Sequence, residues 1–307
     1  MSFLALIAAL LLEHFHPLPR SIRTYSWFSA YVRYLERQFN AGEYRHGVLT
    51  WILAILPFVV LVTLVSMFLN SMSGLMGWLW SFFALYLLMG FGTLGANAAA
   101  VASALRNQQH DQARSLTEQW LGRDSGTFST SEIARLGIEE ILFFSYRNLF
   151  GIIFWFVLLG PAGALLYRLA QVLSRTWGGL SEQEFGNFGS FSVSAFAWME
   201  WLPARLTAVS FAVVGNFEDA IYCWRSQAKQ WKEESLGIVL ASGAGAMGVR
   251  LGELIETHAD SERRPEIGLG DDADVDYMDS AISLVWRTLA LWLVLLLLIT
   301  LARWTGA

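Results

Sequence analysis

The residues in this chain that could do chemistry are few and widely spaced. Gly243, Gly245 and Gly248 form G-x-G-x-x-G within LASGAGAMGVRLGE, with Arg250 just beyond. Such spacing cradles a pyrophosphate when it joins a strand to a helix in an α/β domain. Arg168 and Arg205 each stand in an otherwise apolar stretch. A guanidinium there is costly unless it faces a partner, a cavity or an anionic ligand. Glu139-Glu140 and Glu218-Asp219 are adjacent acidic pairs, able to act as bases, ligands or helix-start charges. His14, His16 and His46 lack the i, i+4 partners of a helical metal site. Cys223 is the single cysteine, so neither a disulfide framework nor a thiolate cage is expected. No metal site, Ser/His/Asp constellation or G-x-x-x-x-G-K-S loop is predicted.

What these residues can do depends on the elements that carry them, and composition places those elements in a membrane. Of 307 residues, 55% are hydrophobic and 15% charged, against roughly a quarter charged in soluble domains. From Val48 to Leu105 there is no Asp, Glu, Lys, Arg or His. That run suffices for two spanning helices of about 20 residues each. Spans are predicted near 49–69, 75–96, 149–169, 201–217 and 284–302, the third interrupted by Gly160-Pro161. The expected fold class is all-α, because helices satisfy their own backbone polar groups in lipid. It is a polytopic helical membrane protein with about five transmembrane spans plus amphipathic cytoplasmic helices, read as one domain over 1–307. The opening SFLALIAALLLEHFHP is short for a full span and lacks a basic n-region and cleavage site. It reads as an interfacial or partly inserted helix.

Three polar blocks carry the positive charge. They are 20–47 (Arg20, Arg23, Arg33, Arg37, Arg45), 106–148 (Arg106, Arg114, Arg123, Arg135, Arg147) and 218–283 (Arg225, Lys229, Lys232, Arg250, Arg263, Arg264). Even numbers of crossings separate them, so the positive-inside rule puts all three in the cytoplasm of a bacterial inner membrane. Trp51, Trp78, Trp80, Trp155, Trp201 and Trp304 fall near span ends, where an aromatic belt is expected. SWFSAYVRYLERQF places Phe28, Tyr31, Val32, Leu35 and Phe39 on one helical stripe. STSEIARLGIEEILF opens with a helix-capping pattern, and GLGDDADVDYMD reads as an acidic, mobile loop. The formal charge of −5 and the lack of a basic, aromatic-interleaved stripe argue against nucleic acid. The lipid bilayer is the first expected partner.

In this setting the glycines lie in a cytoplasmic block with no βαβ unit around them. They then read as a small-residue segment permitting close backbone approach to another helix or an anionic ligand. GAGAMGVRLGE, ARSLTEQWLGRDSGTFSTSEIARLGIE, FWFVLLGPAGALLYRL and WLPARLTA together resemble the CobD/CbiB family of cobalamin-biosynthesis membrane proteins. The likeness runs from His16 to Gly252. It implies an adenosylcobinamide-phosphate synthase, joining an aminopropanol-type amine to a carboxyl of adenosylcobyric acid. If that activity is retained, a nucleotide and Mg²⁺ are implied for activating the carboxyl. It also implies Glu139 as the catalytic residue. Arg205, Arg168, Gly243, Gly245, Gly248 and Arg250 are the candidate ligand-binding positions, for a corrinoid or another anionic small molecule.

The run Ile138–Asn148, IEEILFFSYRN, aligns without gaps on the family's IESVAENTSDG. Glu139 is kept, while Phe143, Phe144 and Arg147 stand at its second Glu, its Asn and its Asp. Phe196 and Ala197 likewise fall on paired aspartates. The MSFL start and the WLPARL and VGNF segments are similar to AmpE, an inner-membrane relative linked to β-lactamase regulation. The expected function is therefore a CobD/CbiB-like protein with lost or altered synthase activity, binding a ligand or a cytoplasmic protein partner in an AmpE-like role. The alternative is a working synthase.

Overall fold

The computed structural model describes residues 2–17, 26–90, 92–122, 128–179, 186–256 and 261–305. Arg20, Arg23 and Arg123 lie outside the described residues, as do the side chains of Arg263, Arg264 and Trp304. In chain order the helices are α1 (Ser2–Phe15), α2 (Ser26–Phe39), α3 (Tyr44–Met72), α4 (Gly74–Leu88), α5 (Gly92–Arg106), α6 (His110–Leu121) and α7 (Thr130–Ser145). A π-helical turn, Tyr146–Phe150, leads into α8 (Gly151–Gly178), followed by α9 (Ser190–Val214), α10 (Phe217–Gln227) and α11 (Glu234–Met247). Three strands, β1 (Val249–Glu256), β2 (Ser261–Gly268) and β3 (Asp271–Asp272), precede α12 (Val275–Thr305). The chain forms two compact units, one of residues 1–90 and 151–202, the other of 91–150 and 203–307.

In the first unit, α3 is about 43 Å long at 1.5 Å per residue. Its outward Leu49, Leu56, Leu61, Leu64 and Met67 are exposed, an apolar face suited to a lipid environment. Pro57 removes the N–H that would reach the Leu53 carbonyl, and Tyr31 Oη donates to that oxygen instead at 3.4 Å. Helix α2 buries Phe28, Val32 and Leu35 as the stripe predicts, with Phe28 edge-on to Phe58. Phe39 faces out, so the buried stripe stops one turn early. Burial pushes the Glu36 carboxyl above its usual range, against the pull of Arg37 and Arg33.

The expected span 149–169 does not run straight. Gly160 has φ 67° and ψ −155°, a conformation open to glycine and little else. A Cβ at Gly163 would lie 2.3 Å from the Trp155 carbonyl oxygen. Along one helix those two residues would stand about 12 Å apart. A Cβ at Gly151 would likewise meet Tyr167 Oη at 2.5 Å. Helix α8 is therefore a hairpin of two antiparallel arms, 151–159 and 161–178. Pro161 suits the first position of the second arm, where its missing N–H has no helical acceptor.

The second arm carries Arg168. Its Nε and Nη2 donate to the Leu88 carbonyl at 3.2 and 2.6 Å, and Nη1 donates to Gln171 Oε1 at 2.7 Å. Helix α4 ends at Leu88, leaving terminal carbonyls without intrahelical donors; the buried guanidinium supplies them. The expected span 75–96 is thus divided between α4 and α5, which belong to different units. The expected span 201–217 crosses a helix boundary as well, since α9 ends at Val214 and Asn216 caps α10 through Asp219 N.

In the second unit, α7 opens with the predicted capping box. Ser129 N donates to Glu132 Oε2, and Ser129 Oγ accepts from Glu132 N. Helix α11 is buried from Gly237 to Ala246, which its small residues permit. A Cβ at Gly245 would come within 2.5 Å of the Asp219 carbonyl oxygen, and one at Gly243 within 2.8 Å of Leu142. Gly248, at φ 73°, ends the helix in the left-handed region.

Strands follow where sequence reading expects none. Their order is β2-β1-β3, with β1 antiparallel to β2 and parallel to β3. The predicted acidic loop is built into structure. Asp271–Asp272 form β3, Asp274 Oδ1 accepts from Asp276 N and Tyr277 N to start α12, and Asp276 and Asp279 pair with Arg106. A high density of acids hides these turn, cap and pairing roles in the sequence.

Among the described residues, three helical runs are long and apolar enough to cross a bilayer: Tyr44–Met72, Thr130–Gly178 and Val275–Arg303. The second is the run that doubles back at Gly160. The architecture is that of an all-α polytopic membrane protein. Nothing lies within 4 Å of a Cβ built at Gly160, so Gly160→Ala isolates the backbone term. It should lower stability by about 1–3 kcal/mol, read as a reduced Tm of the detergent-solubilised protein.

Candidate functional site

The second unit contains a cleft of about 570 Å³ along one face of α7. Leu136, Glu139, Glu140 and Phe143, at offsets of three, four and seven residues from Leu136, share one face of α7, and Arg147 of the π turn lines the same side. The facing wall comes from Trp231, Lys232 and Glu233, the link between a 3₁₀ turn (Ala228–Gln230) and α11, and from Leu236 in the first turn of α11. Three carboxylates and two cations thus share a compartment with aromatic walls.

Glu139 is held by the sheet. Its Oε1 accepts from Gly252 N at 2.9 Å, while Arg135 Nη1 donates to Gly252 O at 3.1 Å. One residue of α7 therefore takes each backbone group of Gly252. Both groups are available because the β1–β2 register slips there: Leu251 pairs with Ile267, and Glu253 with Arg264. Pro265 and Glu266 together face the single Gly252, a bulge, and Pro265 has no N–H to donate. Gly252 sits at φ 83°, with a Cβ site 2.1 Å from the Pro265 carbonyl oxygen. No other residue type fits.

Arg147 projects from the π turn, where one extra residue per turn re-aims side chains. Its Nη2 is 2.5 Å from Glu233 Oε2, and its guanidinium lies 4.7 Å from the centre of the Phe143 ring. Asn148 Nδ2 donates to the Phe144 carbonyl at 3.1 Å, satisfying backbone in the widened turn.

The other expected site residues lie elsewhere. Arg168 belongs to the first unit, committed to Leu88 and Gln171. Arg205 pairs with Glu234 at 3.0 Å, not one of the acids nearest it in sequence. Gly243 and Gly245 face packed helix neighbours, Gly248 ends α11, and Arg250 on β1 pairs with Asp272 at 2.9 Å. Sequence reading brings Glu139 to the cleft but overlooks Trp231, Lys232, Glu233, Gly252 and Pro265. The QWKE tetrapeptide at 230–233 is the one local signal for the facing wall.

The cleft does not fit a protein-built Mg²⁺ cage. Among the described residues, no group of three or more His, Cys, Asp or Glu is gathered to hold a metal. Glu139 and Glu233 are already engaged by Gly252 N and Arg147. What the arrangement can do is bind: cations for an oxyanion, carboxylates for an ammonium, aromatic rings for apolar bulk.

An all-α membrane protein with a charged cleft beside an amphipathic helix is the class these features define. The family model for "CobD/Cbib protein" matches residues 6–285, and the chain belongs to that family. A cobalamin biosynthesis protein CobD of Stutzerimonas stutzeri is 35% identical over 299 residues, 96% of this chain and 97% of the relative. One of Chromobacterium violaceum is 35% identical over 208 residues, 68% of this chain and 66% of its own. One of Leptospira interrogans is 25% identical over 270 residues, 86% and 85% of the two chains. No solved structure matches. The family match extends past Gly252, through the sheet and the acidic segment that sequence reading left outside the likeness.

Two outcomes follow from this geometry. Gly252→Ala must shift the bulge and draw the N–H from Glu139, at a cost of about 2 kcal/mol or more, read as a fall in Tm. Burial, with Asp219 adding to it, pushes the buried Cys223 thiol up to about 11. The thiol form then prevails across neutral pH, so Cys223 should resist alkylation at pH 8 in folded protein and react once the protein is unfolded.

Proposed function

We propose that this chain forms an amide in cobalamin biosynthesis, joining an aminopropanol-type amine to a carboxyl of a corrinoid substrate at the α7 cleft. The observation that carries this reading is the meeting of Glu139 and Glu140 with Arg147 and Lys232 in one compartment. A carboxylate beside an amine can orient the ammonium and take its proton. A cation beside the carboxyl can hold the negative charge that grows on oxygen as nitrogen adds. The carboxyl would first be activated by a nucleotide cosubstrate, so that as the C–N bond forms a C–O bond breaks and the displaced oxygen leaves with the nucleotide-derived phosphoryl group. The names of the cited relatives support the pathway, and the family match across both units supports one functional domain over 1–307.

A bacterial inner-membrane location with cytoplasmic polar blocks fits the charge bias. Contacts of Glu139 with Gly252 and of Arg147 with Glu233 join blocks 106–148 and 218–283, in keeping with a shared side of the bilayer.

A second reading rests on Phe143 and Arg147. Both line the cleft at positions where the resemblance places acidic side chains, which favours a member that keeps a ligand site while its synthase chemistry is lost or altered. An AmpE-like regulatory role with a cytoplasmic partner would be one form of it; the cited relatives carry no such name.

Complementation separates the two. A bacterium lacking its adenosylcobinamide-phosphate synthase, fed cobyric acid, should regain corrinoid-dependent growth with this chain and lose it with Glu139→Gln. Glutamine keeps an acceptor for Gly252 N, so loss of growth with normal membrane levels reports on the carboxylate. Absence of growth with the native chain, shown to be in the membrane, would favour the second reading.

A further inference from the structure

Arg147 is a buried cation of the cleft, yet its carboxylate partner is not buried: the side chains are 8% and 56% exposed. Glu233 occupies the residue before α11, a position where a short polar side chain normally caps the helix. Its backbone is extended, at φ −101° and ψ 105°, and its side chain makes no capping bond. The carboxylate turns to Arg147 instead. A buried guanidinium needs a counter-anion, and Glu233 supplies one from the cleft mouth, on a short stretch between two helical elements.

We infer that Arg147 is the oxyanion-binding residue of the cleft and that Glu233 is a resident carboxylate which a ligand's carboxylate or phosphate displaces. The inference rests on the proposed site but not on amide formation there. Three observations converge on it. The Phe143 ring beneath the guanidinium fixes its plane without neutralising its charge. Lys232 lines the facing wall and adds positive potential. The start of α11, with Leu236 of its first turn in the lining, offers the positive end of a helix dipole. Releasing Glu233 costs little desolvation because it is already half in water, whereas an incoming oxyanion regains the buried partner.

The test is calorimetric titration of the full-length protein in nanodiscs at low ionic strength, with inorganic phosphate and, separately, succinate. Glu233→Gln should bind anion about tenfold more tightly than the native chain, the weight of one charge-assisted pair removed as competitor. Arg147→Gln should lose binding, and Arg147→Lys should keep part of it. Response to phosphate alone assigns a phosphate-bearing ligand; response to both assigns a carboxylate. Equal or weaker binding by Glu233→Gln, or no binding by either protein, overturns the inference. Should Arg147→Gln fail to insert, the Glu233→Gln comparison decides by itself. Failed complementation beside tighter binding by Glu233→Gln would strike amide formation alone and leave the displacement standing.

Discussion

The second unit depends on the clamp that α7 places on Gly252. Arg135 and Glu139, four residues apart, hold the carbonyl and the N–H of one glycine whose ladder partners are removed by a bulge and a proline. Without that clamp the bulge would leave two buried backbone groups unpaired, at about 1–3 kcal/mol each. With it, α7 is fixed against the sheet, and the face bearing Glu140, Phe143 and Arg147 is presented to the start of α11. Glu139 thus has two functions that ordinary alanine scanning would confuse: it shapes the cleft and it contributes a carboxylate to it.

The first unit follows the complementary rule that a broken helix in an apolar setting must have its freed groups answered. Pro57 frees the Leu53 carbonyl and Tyr31 takes it; α4 stops at Leu88 and Arg168 takes its carbonyl; Gly160 turns the chain before a proline that needs no acceptor. Lipid cannot solvate any of these. Arg168, a buried charge in an apolar stretch, thus answers freed backbone through the Leu88 carbonyl and pairs with Gln171.

How much of this was legible depended on the range of the interaction. The apolar run from Val48, the capping box at Ser129 and the stripe of α2 are local patterns, and each corresponds to an observed element. The hairpin in α8 was written only as Gly160-Pro161, which marks an interruption but carries no direction of turn. The strands escaped because β1 and β2 alternate poorly, broken by Gly252 and Pro265, and are stabilised from outside by α7. In the site, Glu139 could be found through a family likeness within one helix. Glu233 and Lys232 stand in QWKE, which marks a charged, aromatic segment but does not record that α11 begins opposite Arg147.

The glycine spacing follows the close-approach reading, with α11 packed against its neighbours. Gly243 and Gly245 exist to let α11 lie against Leu142 and the Asp219 backbone, and Gly248 lets the chain leave that helix for β1. Their spacing is set by helix packing, and the anion-attracting end of α11 is the opposite one, beside Glu233. The glycines therefore act on the cleft indirectly: by allowing α11 to bury Gly237 to Ala246, they fix where its first turn meets Arg147. Charge placement at that meeting, an arginine where the family likeness has an acid, is what the proposed oxyanion site rests on.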